Sequence, residues 1–269
     1  MNSSPSPQNK FLKTIVGTKR EEIDAAKRQF APDILRSQAE CTEPPRDFLA
    51  IFSASFACIA EIKRASPSRG TFTEDFQAAS IAREYERGGA SAISVLTDGK
   101  FFGGSLDDIR KVRNATSLPV LRKEFIIDEY QIYQARVYGA DAILLISEIL
   151  TENELRRFIG LAENLGMASI VEGHTAQEIE KAKRAGAKII GVNNRDLETF
   201  SLHAETSLIL KPLIPDRIIA ISESGIKTSE DLQKLKDAGY RGALIGEVLM
   251  VHKDREVGLR RLLEPLKQE

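Results

Sequence analysis

The chain has no tryptophan, only two cysteines (Cys41 and Cys58) and only three histidines (His174, His203 and His252) in 269 residues. Two cysteines without a CxxC spacing exclude a disulfide framework and a thiolate metal site, and they fit a reducing cytoplasm. The histidines are far apart and lack the HExxH spacing that sets two imidazoles on one helical face, so no metal site is expected. No apolar run approaches the roughly 18 residues of a membrane span. A net charge of -1 arises from 38 basic and 39 acidic residues dispersed along the chain. Without a basic block, nucleic acid is not an expected partner. The segment Met1–Lys10 is rich in Ser and Pro and lacks the apolar stretch of a secretory signal; it reads as a frayed, uncleaved start.

What the chain does have is rhythm. From about residue 57, short runs rich in Val, Ile, Leu and Ala alternate with longer polar segments of helical periodicity. The runs are Ala57–Lys63, Ala90–Thr97, Leu118–Phe125, Ala140–Ser147, Ala168–His174, Lys188–Asn194, Arg217–Ser224 and Gly242–Leu249. Most are apolar at consecutive positions, as strands covered on both faces are. Amphipathic segments lie between them: Ser105–Thr116, Glu129–Tyr138, Thr151–Leu165, Thr175–Ala185 and Ser229–Ala238. Several end in the glycine that suits a left-handed helix terminus, at Gly89, Gly139, Gly186 and Gly239. Eight βα units predict a single (β/α)8 TIM barrel; an open doubly wound sheet would call for a GxGxxG turn that is missing. Residues 1–50 fall outside the rhythm, with helical stretches at Thr18–Gln29 and Ala31–Gln38, and Pro44-Pro45 ahead of Arg46–Phe52. They read as an N-terminal helical extension of the same domain, too short for a core of its own, with the barrel over 51–269.

In a parallel barrel the carboxyl ends of all strands share one face, so charges interrupting the apolar runs there converge. Glu61 and Lys63 lie two residues apart on a strand and point the same way. On these residues alone, a structural ion pair fits as well as a catalytic one. Lys123 and Glu172 end the third and fifth runs, and four such groups in a dry mouth would shift one another's proton affinities, as acid and base catalysis needs. Lys123 as a rim cation and Glu172 as a loop acceptor are the structural alternatives; His174 reads as a solvent-facing side chain outside the site. The sixth run ends in Asn193-Asn194-Arg195-Asp196, where a guanidinium could fix a carboxylate or an ordinary turn could sit. Ser222-Glu223-Ser224-Gly225-Ile226 and Ile245-Gly246-Glu247 end the seventh and eighth, where small-residue turns can cradle an anion at the customary phosphate position. Phe102 and Phe125, in loops of the same face, could stack on a planar ring or pack in the core.

The segment Ile59–Gly70, IAEIKRASPSRG, closely resembles the opening motif of indole-3-glycerol phosphate synthases. The resemblance continues through Ser94–Asp98, Phe102–Ser105, Leu121–Tyr130, Val171-Glu172, Gly191–Asp196, Ser222–Ile226 and Leu244–Met250, and so spans about Pro45 to Met250 with every motif in order. It implies a carbon–carbon lyase of tryptophan biosynthesis, without metal or cofactor, that closes and decarboxylates 1-(2-carboxyphenylamino)-1-deoxyribulose 5-phosphate and releases water. By the same resemblance Lys123 is the proton donor to the sugar carbonyl and Glu172 the base of the dehydration, with Lys63 or Lys123 as its acid. Glu61 tunes the lysines and Asn193 holds the reacting hydroxyl. Arg195, Ser66 and Lys63 take the ring carboxylate, and Glu223 the sugar hydroxyls. Lys63 and the backbone at Ser224, Gly225, Gly246 and Glu247 take the phosphate, while Phe102, Phe125 and Leu144 form the ring slot. The expected partner is the phosphorylated substrate alone, on a cytoplasmic monomer or weak homodimer.

Two positions depart from the family's pattern. Gly173 stands where a branched aliphatic residue is common, which loosens the backbone next to Glu172. Val248 replaces a small residue in the last turn. Two other readings compete. A phosphoribosylanthranilate isomerase needs a Cys and Asp pair at strand ends, and Cys58 lies inside the first run; a catalytically silent phosphate-binding barrel has no use for opposed acids and bases.

Overall fold

Side chains on a strand alternate between two faces, and this chain separates the two sets cleanly. The computed structural model describes residues 10–267 apart from Ala54, Ser68 and Glu74; the Ser- and Pro-rich start expected to fray, through Asn9, lies outside the described residues. Eight parallel strands close into a barrel: β1 Ala57–Ile62, β2 Ala92–Leu96, β3 Val120–Lys123, β4 Ala142–Ile146, β5 Ala168–Gly173, β6 Ile189–Asn193, β7 Ile219–Glu223 and β8 Gly242–Ile245. Each strand pairs with its sequence neighbour, and β1 closes on β8 with Ala57 opposite Gly242. One parity, including Ile59, Leu121, Leu144, Ile170, Ile189, Ile221 and Leu244, forms the barrel interior together with Phe48 and Phe52. The other, including Cys58, Ala60, Val120, Ile143, Val171, Ile190 and Ala243, packs outward against the helices. At about 1.5–3 kcal/mol for each fully buried aliphatic side chain, this double layer dominates the favourable side of folding.

The helices are α1 Lys10–Gln29, α2 Pro32–Cys41, α3 Ala78–Gly88, α4 Asp107–Ala115, α5 Glu129–Tyr138, α6 Glu152–Asn164, α7 Ala176–Ala185, α8 Thr206–Leu210, α9 Ser229–Asp237, α10 Glu247–Met250 and α11 Arg255–Leu263. Several start at the caps the sequence advertises: Asp128, Thr151, Thr175 and Thr228 each accept a backbone N–H of the first turn. The eighth strand is shorter than its apolar run. After Gly246 the chain turns helical, and Leu249 and Met250 are buried from α10 instead of from a strand. Among the described residues no helix is long and apolar enough to cross a membrane.

Helix α1 begins eight residues before the predicted Thr18, because its start is held by a partner remote in sequence. Glu198, in the loop after β6, accepts the backbone N–H groups of Lys10, Phe11 (2.9 Å) and Leu12 (3.3 Å). Phe11 packs edge-on against Phe101 at 5.6 Å and Phe200 at 5.0 Å. Two turns further along, the buried Lys19 ammonium lies 2.6 Å from Asp98 and 3.2 Å from Glu124. Burial penalises that charge, but Glu124 and Asp98 outweigh it and push the Lys19 pKa up to about 12. Asp98 in turn accepts the backbone N–H groups of Phe101 and Phe102, and Glu124 that of Phe125. The extension therefore fastens the loops that follow β2, β3 and β6.

Removing Lys19 would take the ammonium from the buried Asp98 and leave Glu124 with Arg122 at 3.6 Å, and breaking a buried pair costs about 3–5 kcal/mol. Lys19→Met is expected to lower stability by about that much, read from the urea unfolding midpoint at constant slope; a change under about 1 kcal/mol would contradict the buried-anchor account.

Candidate active site

The parity that fills the barrel interior also carries the charged strand ends. Glu61 follows Ile59, Lys123 follows Leu121, Glu172 follows Ile170, Asn193 follows Gly191 and Glu223 follows Ile221, each two residues on and on the same inward face. Barrel register brings them level: Glu172 pairs with Gly191, and Asn193 with Glu223. Side chains from separate strands thus meet at the carboxyl end of the barrel.

They border one cleft of about 980 Å³, open to solvent. Every residue that sequence reasoning placed in the site lines it: Glu61, Lys63, Ser66, Phe102, Lys123, Phe125, Leu144, Glu172, Asn193, Arg195, Glu223, Ser224, Gly225, Gly246 and Glu247. At its centre the Lys123 ammonium bridges two carboxylates, 3.0 Å from Glu172 and 2.6 Å from Glu223. Asn193 donates to the other oxygen of Glu172 at 3.1 Å. Across the mouth Lys63 pairs with Glu61 at 2.6 Å and lies 5.4 Å over the Phe72 ring. Two glycines make room for these carboxylates. A Cβ on Gly191 would fall 2.2 Å from Glu223, and one on Gly246 would fall 2.4 Å from Glu61.

Walls of different character surround this core. Phe102 and Phe125, with ring centroids 6.0 Å apart, and the buried Leu144 give an apolar side. Opposite, Arg195 donates to Glu247 at 3.0 Å and to the Phe200 carbonyl at 3.1 Å. Glu247 also accepts from Arg69 at 3.0 Å, so two guanidiniums neutralise a carboxylate that borders the expected phosphate position. Ser224, at φ 67°, and Gly225, at φ 80°, make a left-handed turn on the same border.

Electrostatics divide the carboxylates. Burial works against the charge of Glu172, but Lys123, His174 and Asn193 outweigh it and hold its carboxyl well below the usual range. Glu223 goes the other way: burial and the like charge of Glu172 raise it despite Lys123. Burial opposes the charge on Glu61, yet Lys63 and Lys123 keep its carboxyl low. Burial likewise disfavours the Lys123 ammonium, but Glu172, Glu223 and Glu61 overwhelm it and drive its pKa far upward. Of the two carboxylates that flank the Lys123 ammonium, Glu172 is therefore the more firmly ionised and Glu223 the more readily protonated.

Comparison with known proteins decides the family. A family model described as indole-3-glycerol phosphate synthase matches residues 12–262. The chain belongs to the indole-3-glycerol phosphate synthase family. It is 51% identical to a protein of that name from Chloroherpeton thalassium over 245 residues, 89% of this chain and 94% of the relative. It is 43% identical to one from Lachnoclostridium phytofermentans over 268 residues, 94% of this chain and 98% of the relative. Among solved structures, thiamine phosphate pyrophosphorylase from Pyrococcus furiosus superposes with a TM-score of 0.60 at 14% identity, over 81% of this chain and 98% of that one, a likeness of fold alone.

The isomerase alternative loses its acid: Cys58 is buried on the outward parity, and burial pushes its thiol up to about 12. Sequence reasoning also missed residues of the cleft. Leu197 and Phe200 line it from the loop after β6, where no periodicity marks them. His174 was read as solvent-facing, but its side chain is only 12% exposed and its Nε2 lies 3.5 Å from Glu172. Its spacing of two from Glu172 was the available signal. A ring nitrogen of His174 and carboxylate oxygens of Glu148 and Glu178 lie within 4.8 Å of one another.

The opposed shifts give a signed expectation. The raised pKa of Glu223 means the folded chain keeps a proton that the unfolded chain releases above about pH 4.3. Its stabilising contribution is complete below that pH and fades as pH rises through the folded value. Urea unfolding at pH 5 and pH 8 should therefore show Glu223→Gln gaining stability relative to wild type as pH rises; the reverse trend would mean that Glu223 is ionised at neutrality.

Proposed function

We propose that this cleft carries out the family's reaction, the conversion of 1-(2-carboxyphenylamino)-1-deoxyribulose 5-phosphate to indole-3-glycerol phosphate, carbon dioxide and water, with Lys123 and Glu172 as the proton donor and acceptor. The observation that carries the reading is the Lys123 ammonium held between Glu172 and Glu223 beside an aromatic wall. The phosphorylated sugar lies toward Ser224, Gly225, Gly246 and Glu247, with Lys63 across the mouth. The ring lies against Phe102, Phe125 and Leu144, and its carboxylate faces Arg195 and Ser66. Every group invoked belongs to one chain, so the reading requires no second subunit.

The chemistry follows from that placement. A ring carbon is a modest nucleophile, so attack on the sugar carbonyl needs the developing alkoxide to be protonated as it forms. Lys123 supplies that proton, and the alkoxide is basic enough to take it from an ammonium with a raised pKa. Ring closure interrupts aromaticity at the carbon bearing the carboxylate; breaking the bond to carbon dioxide returns the electron pair to the ring. Dehydration then forms the second double bond of the indole. Ionised Glu172 removes the proton, a lysine ammonium protonates the departing hydroxyl, and water leaves. Asn193 holds both Glu172 and, by family likeness, that hydroxyl. Glu61 fixes Lys63, and Glu223 accepts from the sugar hydroxyls while keeping Lys123 charged.

Fluorescence of the indole product reads the whole scheme. Lys123→Ala is expected to lower kcat by about 10²–10⁴-fold while leaving affinity for a phosphorylated product analogue within about tenfold, ~1.4 kcal/mol. Glu172→Gln should behave likewise. Equal loss of turnover and affinity in both variants would assign these residues to binding, and no product from the wild-type chain would overturn the activity itself.

A further inference from the structure

Glu172 has three neighbours able to hold it ionised, and the scheme above employs only Lys123 and Asn193. The third is His174, at 3.5 Å. Its backbone N–H donates to Glu178 Oε2 at 2.9 Å, and its Nδ1 lies 3.3 Å from the same oxygen. Glu178 is itself fixed by the first turn of α7, accepting from Thr175 Oγ1 at 3.0 Å while its own N–H donates to that hydroxyl at 3.2 Å. The ring is thereby pinned at one nitrogen, and the other lies nearest Glu172, with no closer hydrogen-bond partner among the described residues.

Gly173 sits at the crowded point of this arrangement: a Cβ there would lie 3.3 Å from the Glu178 Cβ and 3.2 Å from the Ile179 Cδ1, tight contacts that the glycine relieves.

We propose that His174, clamped by Glu178, is a positioning residue that keeps Glu172, and not Glu223, the ionised member of the carboxylate pair around Lys123. Both ring nitrogens face carboxylate oxygens, and only the imidazolium donates to both. The charged groups facing the ring are Glu172 from β5, Glu178 from α7, Glu148 from the loop after β4 and, more remotely, Asp196 from the loop after β6. All are acidic. Burial disfavours the charged ring, but Glu178 and Glu172 outweigh it and hold its pKa above the usual histidine range. A cation at this distance lowers a carboxyl pKa by about 1–3 units, enough to bias which of two coupled carboxylates holds a proton.

This inference rests on Glu172 as the base, so two measurements separate the claims. In His174→Gln, the acidic limb of the kcat–pH profile should move toward neutrality by about one unit or more, with KM within about threefold of wild type. A uniform fall in kcat with an unmoved limb, or no change at all, would overturn the proposal. The second measurement needs no turnover and no change at His174: proton NMR titration of the three imidazoles in wild type and Glu172→Gln. The His174 midpoint should lie above about 6.5 in wild type and fall when Glu172 is neutralised. A midpoint indifferent to Glu172 would refute the coupling even if His174→Gln failed to fold. Full activity of Glu172→Gln would instead remove Glu172 from the chemistry, whatever the titration showed.

Discussion

Two buried carboxylates sharing one ammonium is the constraint around which this molecule is arranged. Lys123 is charged because Glu172 and Glu223 surround it, and of the two carboxylates Glu172 is held low while burial and the charge of Glu172 push Glu223 up. Neither carboxylate would be tolerable in the barrel mouth without the lysine, and the lysine would not be tolerable without them. Each comes from a different strand, so the arrangement exists only when the barrel is closed in register. Folding and proton affinity are here the same fact.

The N-terminal helix extends that constraint outward. The residue after Lys123, Glu124, has the opposite parity and reaches Lys19. A single β-strand end thus presents the ammonium at the centre of the cleft to the interior and a structural carboxylate to α1. Because Asp98 ties the backbone of Phe102 to the same Lys19, the aromatic wall and the central lysine are braced by one buried cation outside the barrel.

Much of this was legible in the sequence, and the parts that were follow from short-range geometry. The eight apolar runs and the glycine punctuation predicted the barrel, since both are written in consecutive residues. The strand-end charges were legible because a period of two carries Glu61, Lys123, Glu172, Asn193 and Glu223 inward with the hydrophobic residues that precede them. What was illegible depends on partners far along the chain. The start of α1 is set by Glu198, 188 residues from Lys10, and Lys19 meets Asp98 and Glu124 only after folding. His174 was misjudged differently: its parity matched Glu172, but its burial comes from Glu178, and a histidine just past a strand looks the same whether α7 covers it or not.

The alternation of inward and outward residues bears on how such a barrel can change over evolutionary time. A one-residue insertion within β5 would rotate Glu172 into the oily layer under the helices and swing Val171 into the cleft, losing chemistry and packing together. Insertions in the turns at the opposite end of the barrel, where strands begin, would shift neither set. Length variation is therefore confined to connections, and the strands themselves behave as a fixed reading frame whose loss in any one of the eight would silence the others.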